Sequence, residues 1–240
     1  MSEKPAITAS LLAEYCFASA PRRYRIIEMM QSDGFEPYKK WYGEVPGAYR
    51  RYMSTGRDDS ALEYLEAALV KREYVTEEDE NKILLQLDAI EHIRHIDHGG
   101  IDPSLRILPF DHPARSTEVA GVTIRVNPTN LVLGTRIGRR EQFVGVLKPY
   151  LKKTHKLGKD EAAALITILH LFVERELSAL GEPAIEQCFV AEVFFERLLA
   201  PPRSYKRRRE LIEASCLEIA ERWPSVRAKS GAERKGAATR

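Results

Sequence analysis

Cysteine is scarce in this sequence. Its 240 residues include three cysteines, which are odd in number, lie far apart and form no CxxC pair: Cys16, Cys188 and Cys216. Such a set favours neither a disulfide framework nor a zinc ribbon. Because 44% of the residues are hydrophobic, the chain can bury a sizeable core. We expect a folded protein of a reducing cytoplasm.

Long apolar runs are also missing. The longest, residues 162–173, contains His170 and is too short to span a bilayer. Near the start, Ala18-Ser19-Ala20 imitates a signal-peptidase site, but Glu14 interrupts the apolar segment that such a signal requires. These observations predict no membrane partner and no export, and they leave the oligomeric state open.

Several motifs of catalysis are absent as well. The sequence has no glycine-rich phosphate loop, no Walker motif and no Ser-His-Asp order with supporting context. Nucleophilic catalysis therefore has no support beyond isolated residues.

Basic charge is concentrated at the end of the chain. Eleven of the 37 Lys and Arg residues, but five of the 35 Asp and Glu residues, lie from Pro201 onward. The densest run is Lys206, Arg207, Arg208 and Arg209, which could bind phosphates or could be the solvated start of a helix. Residues 225–240 are nearly free of apolar side chains, which predicts a disordered basic tail.

A second group of cations is interleaved with aromatic residues near the start. Arg22 and Arg23 precede Tyr24, and Lys-Lys-Trp-Tyr follows at residues 39–42. Cations beside aromatic rings can bind phosphates and stack bases. The aromatic residues could instead form the core of a small helical layer.

The first 75 residues have the spacing of amphipathic helices. Apolar residues recur at helical intervals in the segments 7–18, 22–31, 48–53 and 60–71. Thr76-Glu77-Glu78-Asp79 is a capping-box pattern, which predicts a helix that runs to about Ile96. We expect residues 1–75 to form a helical N-terminal region.

From Thr117 the apolar period changes to two. Strands are predicted at residues 122–126, 130–135, 142–151 and 187–198, with a Gly-Arg-Arg turn between the second and the third. A helix over 160–177 precedes the last strand, and a helix over 204–222 follows it and is stopped by Trp223-Pro224. The order over a core of residues 76–224 is therefore helix, three strands, helix, strand, helix.

This order resembles the αβββαβ core of the PD-(D/E)XK nuclease-like superfamily, and residues 126–133 and 143–150 carry the resemblance. In that family, an acid on the second strand and an acid two residues before a lysine on the third strand hold a divalent metal. Residues i and i+2 of a strand face the same way, so the second acid and the lysine share one pocket. The resemblance implies that Lys148 is the catalytic lysine and that Asn130 and Val146 stand in the acidic positions. We expect an α+β fold with a helical N-terminal region packed on a restriction-nuclease-like αβββαβ core.

The metal site of such a core is incomplete here. An asparagine oxygen brings no charge and a valine brings no ligand, whereas Mg²⁺ sites usually use one or two carboxylates. A carboxylate relocated from elsewhere could complete the site, and the candidates are Asp88, Glu91, Glu141 and Glu192. A cofactor, Mg²⁺, is expected only if the protein is an active nuclease.

Three functions stay open. The first is a catalytically degenerate nuclease-fold protein that binds nucleic acid or a protein partner. The second is a Mg²⁺-dependent nuclease with a relocated carboxylate, and the third is a purely structural or oligomerising protein. The candidates for contact with nucleic acid are Arg139, Arg140, Lys206, Arg207, Arg208, Arg209, Arg22 and Arg23.

The chain is also similar to a group of uncharacterised bacterial proteins. They share a basic-aromatic segment, a valine-proline strand followed by a glycine-x-x-lysine strand, and a tryptophan-proline stop. The corresponding pieces are residues 21–25, Val126-Asn127-Pro128 with residues 145–148, and residues 216–224. The similarity implies a bacterial cytoplasmic origin and no particular activity.

Three histidines, His92, His95 and His98, follow one another at steps of three. On a helix, His92 and His95 share a face with Asp88, so a zinc or manganese site is sterically possible. All three histidines cannot converge, because each step of three rotates by about 300°. The alternative is a set of solvated histidines that favour the C-terminal end of the helix dipole.

Overall fold

A computed structural model describes residues 4–31, 41–135, 142–202 and 204–237, with side chains up to residue 226. The described helices are α1 (Ala9–Phe17), α2 (Ala20–Gln31), α3 (Val45–Ser54), α4 (Ser60–Val70), α5 (Glu77–His95), α6 (Lys159–Phe172) and α7 (Lys206–Ala237). The described strands are β1 (Ala6–Thr8), β2 (Arg106–Pro109), β3 (Ser116–Val119), β4 (Val122–Arg125), β5 (Asn130–Thr135), β6 (Gln142–Tyr150), β7 (Glu182–Pro183), β8 (Phe189–Glu192) and β9 (Arg197–Leu199). The predicted α+β class is confirmed.

A mixed sheet with the order β2-β5-β6-β8-β9 forms the centre of the molecule, and β7 adds a short pairing to β6. β6 and β8 run parallel, whereas the pairs β2/β5, β5/β6 and β8/β9 are antiparallel. A parallel pair needs a crossover connection, and α6 provides it between β6 and β8. A second, smaller sheet has the order β1-β4-β3.

Two hydrophobic clusters cover the two faces of the central sheet. Val146 belongs to the cluster that contains α1, α2, α6, α7 and the smaller sheet. The next residue of β6, Leu147, belongs to the cluster that contains α3, α4 and α5. Successive strand residues point to opposite faces, so the fold has three layers. Helices from the first 75 residues therefore lie on both faces of the sheet.

The helix starts follow local sequence signals. Thr76 caps α5, because its Oγ1 accepts a hydrogen bond from the Asp79 backbone N–H at 3.2 Å, and acidic residues fill the first turn. Thr8 caps α1 in the same way through the Leu11 N–H. The helix predicted over 160–177 is confirmed, with α6 followed by a π-helical turn at Val173–Leu177.

Three strand and helix predictions were wrong. The predicted strand 187–198 is two strands, β8 and β9, which are separated by a 3₁₀ turn at Val193–Phe195 and by Glu196 at a φ of 51°. β4 pairs with β1 and β3 rather than with the central sheet, where β2 takes the first place. Pro224 does not stop the last helix, since α7 continues to Ala237.

The described residues do not test the predicted turn or the predicted domain boundaries. The predicted turn around Arg139 and Arg140 lies outside the described residues. The domain boundaries at residues 75 and 225 stay predictions.

All three cysteines are free and buried. Within the described ranges, no helix combines the length and apolar character needed to cross a membrane.

Candidate functional site

Lys148 lies near the carboxyl end of β6. It is on the same face of the strand as Val146, which is the face covered by α1, α2, α6 and α7. Its Nζ donates a hydrogen bond to the backbone carbonyl of Asn127 at 3.3 Å. Burial lowers the pKa of Lys148 to about 8. Among the described side chains, no carboxylate forms an ion pair that would oppose this shift. The site therefore contains a lysine without the acids of a metal site.

The structure does not bring Asn130 and Lys148 together. In the antiparallel register of β5 and β6, Asn130 lies opposite Leu147, and directly opposed residues point to the same face. Asn130 and Lys148 therefore project from opposite faces of the sheet. If the register is extended by one residue, Thr129 lies opposite Lys148. The Thr129 hydroxyl donates a hydrogen bond to the Leu147 carbonyl at 3.2 Å.

Asn130 is a structural residue on the other face. Its side chain is fully buried, and its Nδ2 donates to the Arg50 carbonyl of α3 at 2.9 Å. Its Oδ1 has no described partner. The predicted metal role of Asn130 is not supported, because the amide group fastens β5 to α3.

The relocated carboxylates do not assemble a site either. Glu192 is fully buried, but it accepts hydrogen bonds from Arg197 and from the backbone N–H of Leu157. Glu91 is exposed on α5, and Asp88 pairs with Lys153 at 2.7 Å. Glu141 lies outside the described residues. No group of three or more His, Cys, Asp or Glu residues in the described part of the chain could hold a metal, so these residues do not fit Mg²⁺.

His92 and His95 lie beside the same carboxylate, whereas His98 has a different environment. His92 Nδ1 lies 2.8 Å from Glu196 Oε1, and His95 Nδ1 lies 3.6 Å from the same oxygen. His98 lies beyond the end of α5 and is 3% exposed, next to the Tyr49 hydroxyl at 3.4 Å. Burial lowers the pKa of His98, and Arg57 adds to this effect. The expectation of solvated histidines is wrong for His98, because it is packed against α3.

Four of the six predicted nucleic-acid contacts that the structure describes are engaged within the protein. Arg22 pairs with Glu14 at 2.6 Å, and Arg23 pairs with Glu218 at 2.8 Å. Arg208 pairs with Asp160, and Arg209 with Glu174. Lys206 and Arg207 are exposed, and neither has an ion-pair partner in the described part of the chain. These two residues are therefore the accessible cations of the predicted run.

Sequence reasoning missed a basic segment, residues 152–159 (Lys-Lys-Thr-His-Lys-Leu-Gly-Lys), which connects β6 to α6. Lys152 pairs with Glu14 at 3.1 Å, and Lys153 pairs with Asp88. Lys156 lies over the ring of Phe195 at 5.6 Å, and it is exposed, as is Lys159. Four lysines within eight residues are a signal that the sequence alone contains.

A cleft of about 720 Å³ joins the basic segment to the start of α7. Its lining includes Leu157 and Lys159 from the basic segment, and Ser204 and Arg208 from the start of α7 and the residues before it. We call the exposed cations of these two stretches the basic rim: Lys156, Lys159, Lys206 and Arg207. The basic segment follows the carboxyl end of β6, the end of the strand near which Lys148 is found.

Comparison of the chain with protein-family models and with curated proteins finds no match.

Proposed function

We propose that this protein is a catalytically degenerate nuclease-fold protein that binds nucleic acid. The fold part of the proposal is supported by the order α5, β2, β5, β6, α6, β8, which is helix, three strands, helix, strand. The β3–β4 hairpin is an insertion between the first and second strands of that order. These four strands are also neighbours in the sheet in the same order, β2-β5-β6-β8.

The absence of catalysis is supported by the surroundings of Lys148. A metal nuclease needs carboxylates beside the lysine to hold the ion that polarises phosphate. On the face that carries Lys148, Val146 stands on the same strand and Thr129 opposite it, and neither side chain can supply charge to a divalent cation. The neighbouring strand β8 brings Glu192 to this face, but its carboxylate accepts hydrogen bonds from Arg197 and the Leu157 N–H.

The basic rim carries the proposal of nucleic-acid binding. Its four cations are exposed. Lys159 lines the cleft, and the other three lie within two residues of the lining residues Leu157 and Arg208 in the chain. Phosphate contacts of this kind dominate affinity for nucleic acid and make it fall with salt. A cytoplasmic bacterial setting is part of the same proposal, because three free, buried cysteines suit a reducing compartment.

The test is fluorescence anisotropy with a labelled DNA duplex at several salt concentrations. We expect binding that weakens steeply with salt and no cleavage in Mg²⁺ or Mn²⁺. In the triple variant Lys159→Ala/Lys206→Ala/Arg207→Ala, the slope of log affinity against log salt should become shallower by about 3, since each phosphate contact contributes about 0.9. A matched control, Arg51→Ala/Lys71→Ala/Arg106→Ala, removes the same charge from exposed residues of α3, β2 and the end of α4 and should keep the slope.

Three results would contradict the proposal. Cleavage that Lys148→Ala abolishes would establish the alternative, a Mg²⁺-dependent nuclease with a relocated carboxylate. An equal loss of slope in both triple variants would show that net charge, not the basic rim, determines binding. If no binding occurs at low salt, the protein-partner or structural alternatives replace the nucleic-acid function.

A further inference from the structure

A cavity of about 450 Å³ lies between α1, α5 and the residues that follow β6. Its apolar walls include Leu11, Leu85 and Leu151, together with the aromatic residues Trp41 and Tyr42. Small-molecule pockets have volumes of about 300–1,000 Å³, and their walls are mainly apolar and aromatic with a few placed polar groups. The cavity is therefore of a suitable size and composition to enclose the apolar body of a small ligand.

One wall of the cavity is charged. Glu14 is 8% exposed, and its carboxylate accepts hydrogen bonds from Arg22 at 2.7 Å and from Lys152 at 3.1 Å. Burial raises the pKa of Glu14, but the hydrogen bonds from the two cations outweigh burial, so the pKa is lowered and the group is ionised at neutral pH. Two cations face one anion, which leaves an excess of one positive charge.

The two cations keep donors for a second anion. A guanidinium has five N–H donors and an ammonium has three, and Glu14 uses two from Arg22 and one from Lys152. Arg22 and Lys152 are partly exposed, with 40% and 31% of their side chains accessible. A guanidinium also matches the planar geometry of a carboxylate.

We propose that this cavity binds a small aromatic carboxylate. Its ring lies among Trp41, Leu85 and Leu151, and its carboxylate contacts Arg22 and Lys152. The ring buries apolar surface in the cavity, and the carboxylate balances the excess positive charge of the wall. A neutral ring of the same size gains the first contribution without the second.

The test is isothermal titration calorimetry with 2-naphthoate and with its neutral analogue, 2-naphthalenemethanol. The carboxylate should bind about tenfold or more tightly than the alcohol, a difference of about 1.4 kcal/mol or more, since hydrogen bonds between charged groups are stronger than those of a neutral hydroxyl. Lys152→Gln should remove most of this preference. Lys156→Gln, a lysine of the same basic segment that does not line the cavity, should keep it.

A second pair of variants separates the cavity from the charge. Leu85→Trp fills the cavity and should abolish naphthoate binding, whereas Leu84→Trp changes the neighbouring side chain, which is 55% exposed, and should bind like the wild type. Equal binding by Leu84→Trp and Leu85→Trp, with equal melting temperatures, would overturn the proposal. So would equal affinity for the alcohol and the acid. The proposal does not depend on nucleic-acid binding, because Leu85→Trp should leave the salt slope for DNA unchanged.

Discussion

Gly145 lies in the middle of β6, the strand that carries Lys148. Its substitution by alanine tests how closely this strand packs against Gln187. A Cβ built on Gly145 would lie 2.2 Å from the Gln187 carbonyl oxygen and 2.4 Å from its carbon. Ordinary contacts begin at 3.4 Å, so the turn Ile185–Gln187 would have to move by about 1.2 Å. The turn cannot move freely, because the Ala184 N–H donates to the Val144 carbonyl of β6 at 3.0 Å.

Gly145→Ala should therefore destabilise the protein by about 3 kcal/mol, the upper part of the usual range for overpacking. For a chain of this size, 1 kcal/mol corresponds to about 2–4 °C, so the melting temperature should fall by about 6–12 °C. Urea unfolding followed by circular dichroism gives the free energy of unfolding, and a thermal scan gives the melting temperature.

Gly47→Ala is the matched control. Gly47 lies in α3, and a Cβ there would meet nothing within 4 Å. Alanine should stabilise this helix by up to about 1 kcal/mol. If Gly145→Ala melts within 2 °C of the wild type, β6 does not approach the turn as described, and the reasoning is refuted.

Three further predictions concern Lys148, Glu192 and Mg²⁺. Lys148→Met should raise the melting temperature at pH 7, where the folded protein keeps a partly buried ammonium. The gain should shrink between about pH 8 and pH 10.4, because over this interval the wild-type lysine is deprotonated in the folded state before it is in the unfolded state. A gain that is equal at pH 7 and pH 10.5 would contradict the pKa of Lys148. Glu192→Gln should cost about 1.5–3 kcal/mol in urea unfolding, since it removes the charge from a buried carboxylate that accepts hydrogen bonds from the partly exposed Arg197. Glu91→Gln on the exposed face of α5 should cost almost nothing. Neither the wild type nor these variants should gain stability from Mg²⁺ over EDTA, and a Mg²⁺-dependent rise in melting temperature would show that a metal site exists.

Local patterns were sufficient for the helices and for the two central strands. The capping box at Thr76 predicts the start of α5, and the apolar spacing predicts β5 and β6, because caps and periodicity depend on neighbouring residues. β2 escaped prediction, since Arg-Ile-Leu-Pro at residues 106–109 is short and does not alternate. Its place beside β5 is decided by tertiary pairing.

The candidate site was less predictable, because its geometry depends on pairing between distant residues. The face on which Asn130 lies follows from its register with Leu147, which no single strand reveals. Likewise, Arg23 is engaged by Glu218, which is 195 residues away. The lysines of the basic segment were visible in the sequence, but their position beside the start of α7 follows only from the fold.

The contacts of α1 have a consequence for the order of folding during synthesis. This helix packs against α6 and α7, so part of its apolar face stays uncovered until α7 is made. Roughly 190 residues separate α1 from α7, and at about 5–20 residues per second the delay is on the order of 10–40 s. During that interval α1 is translated but lacks its contact with α7, which makes it a natural target for chaperones that hold exposed apolar helices.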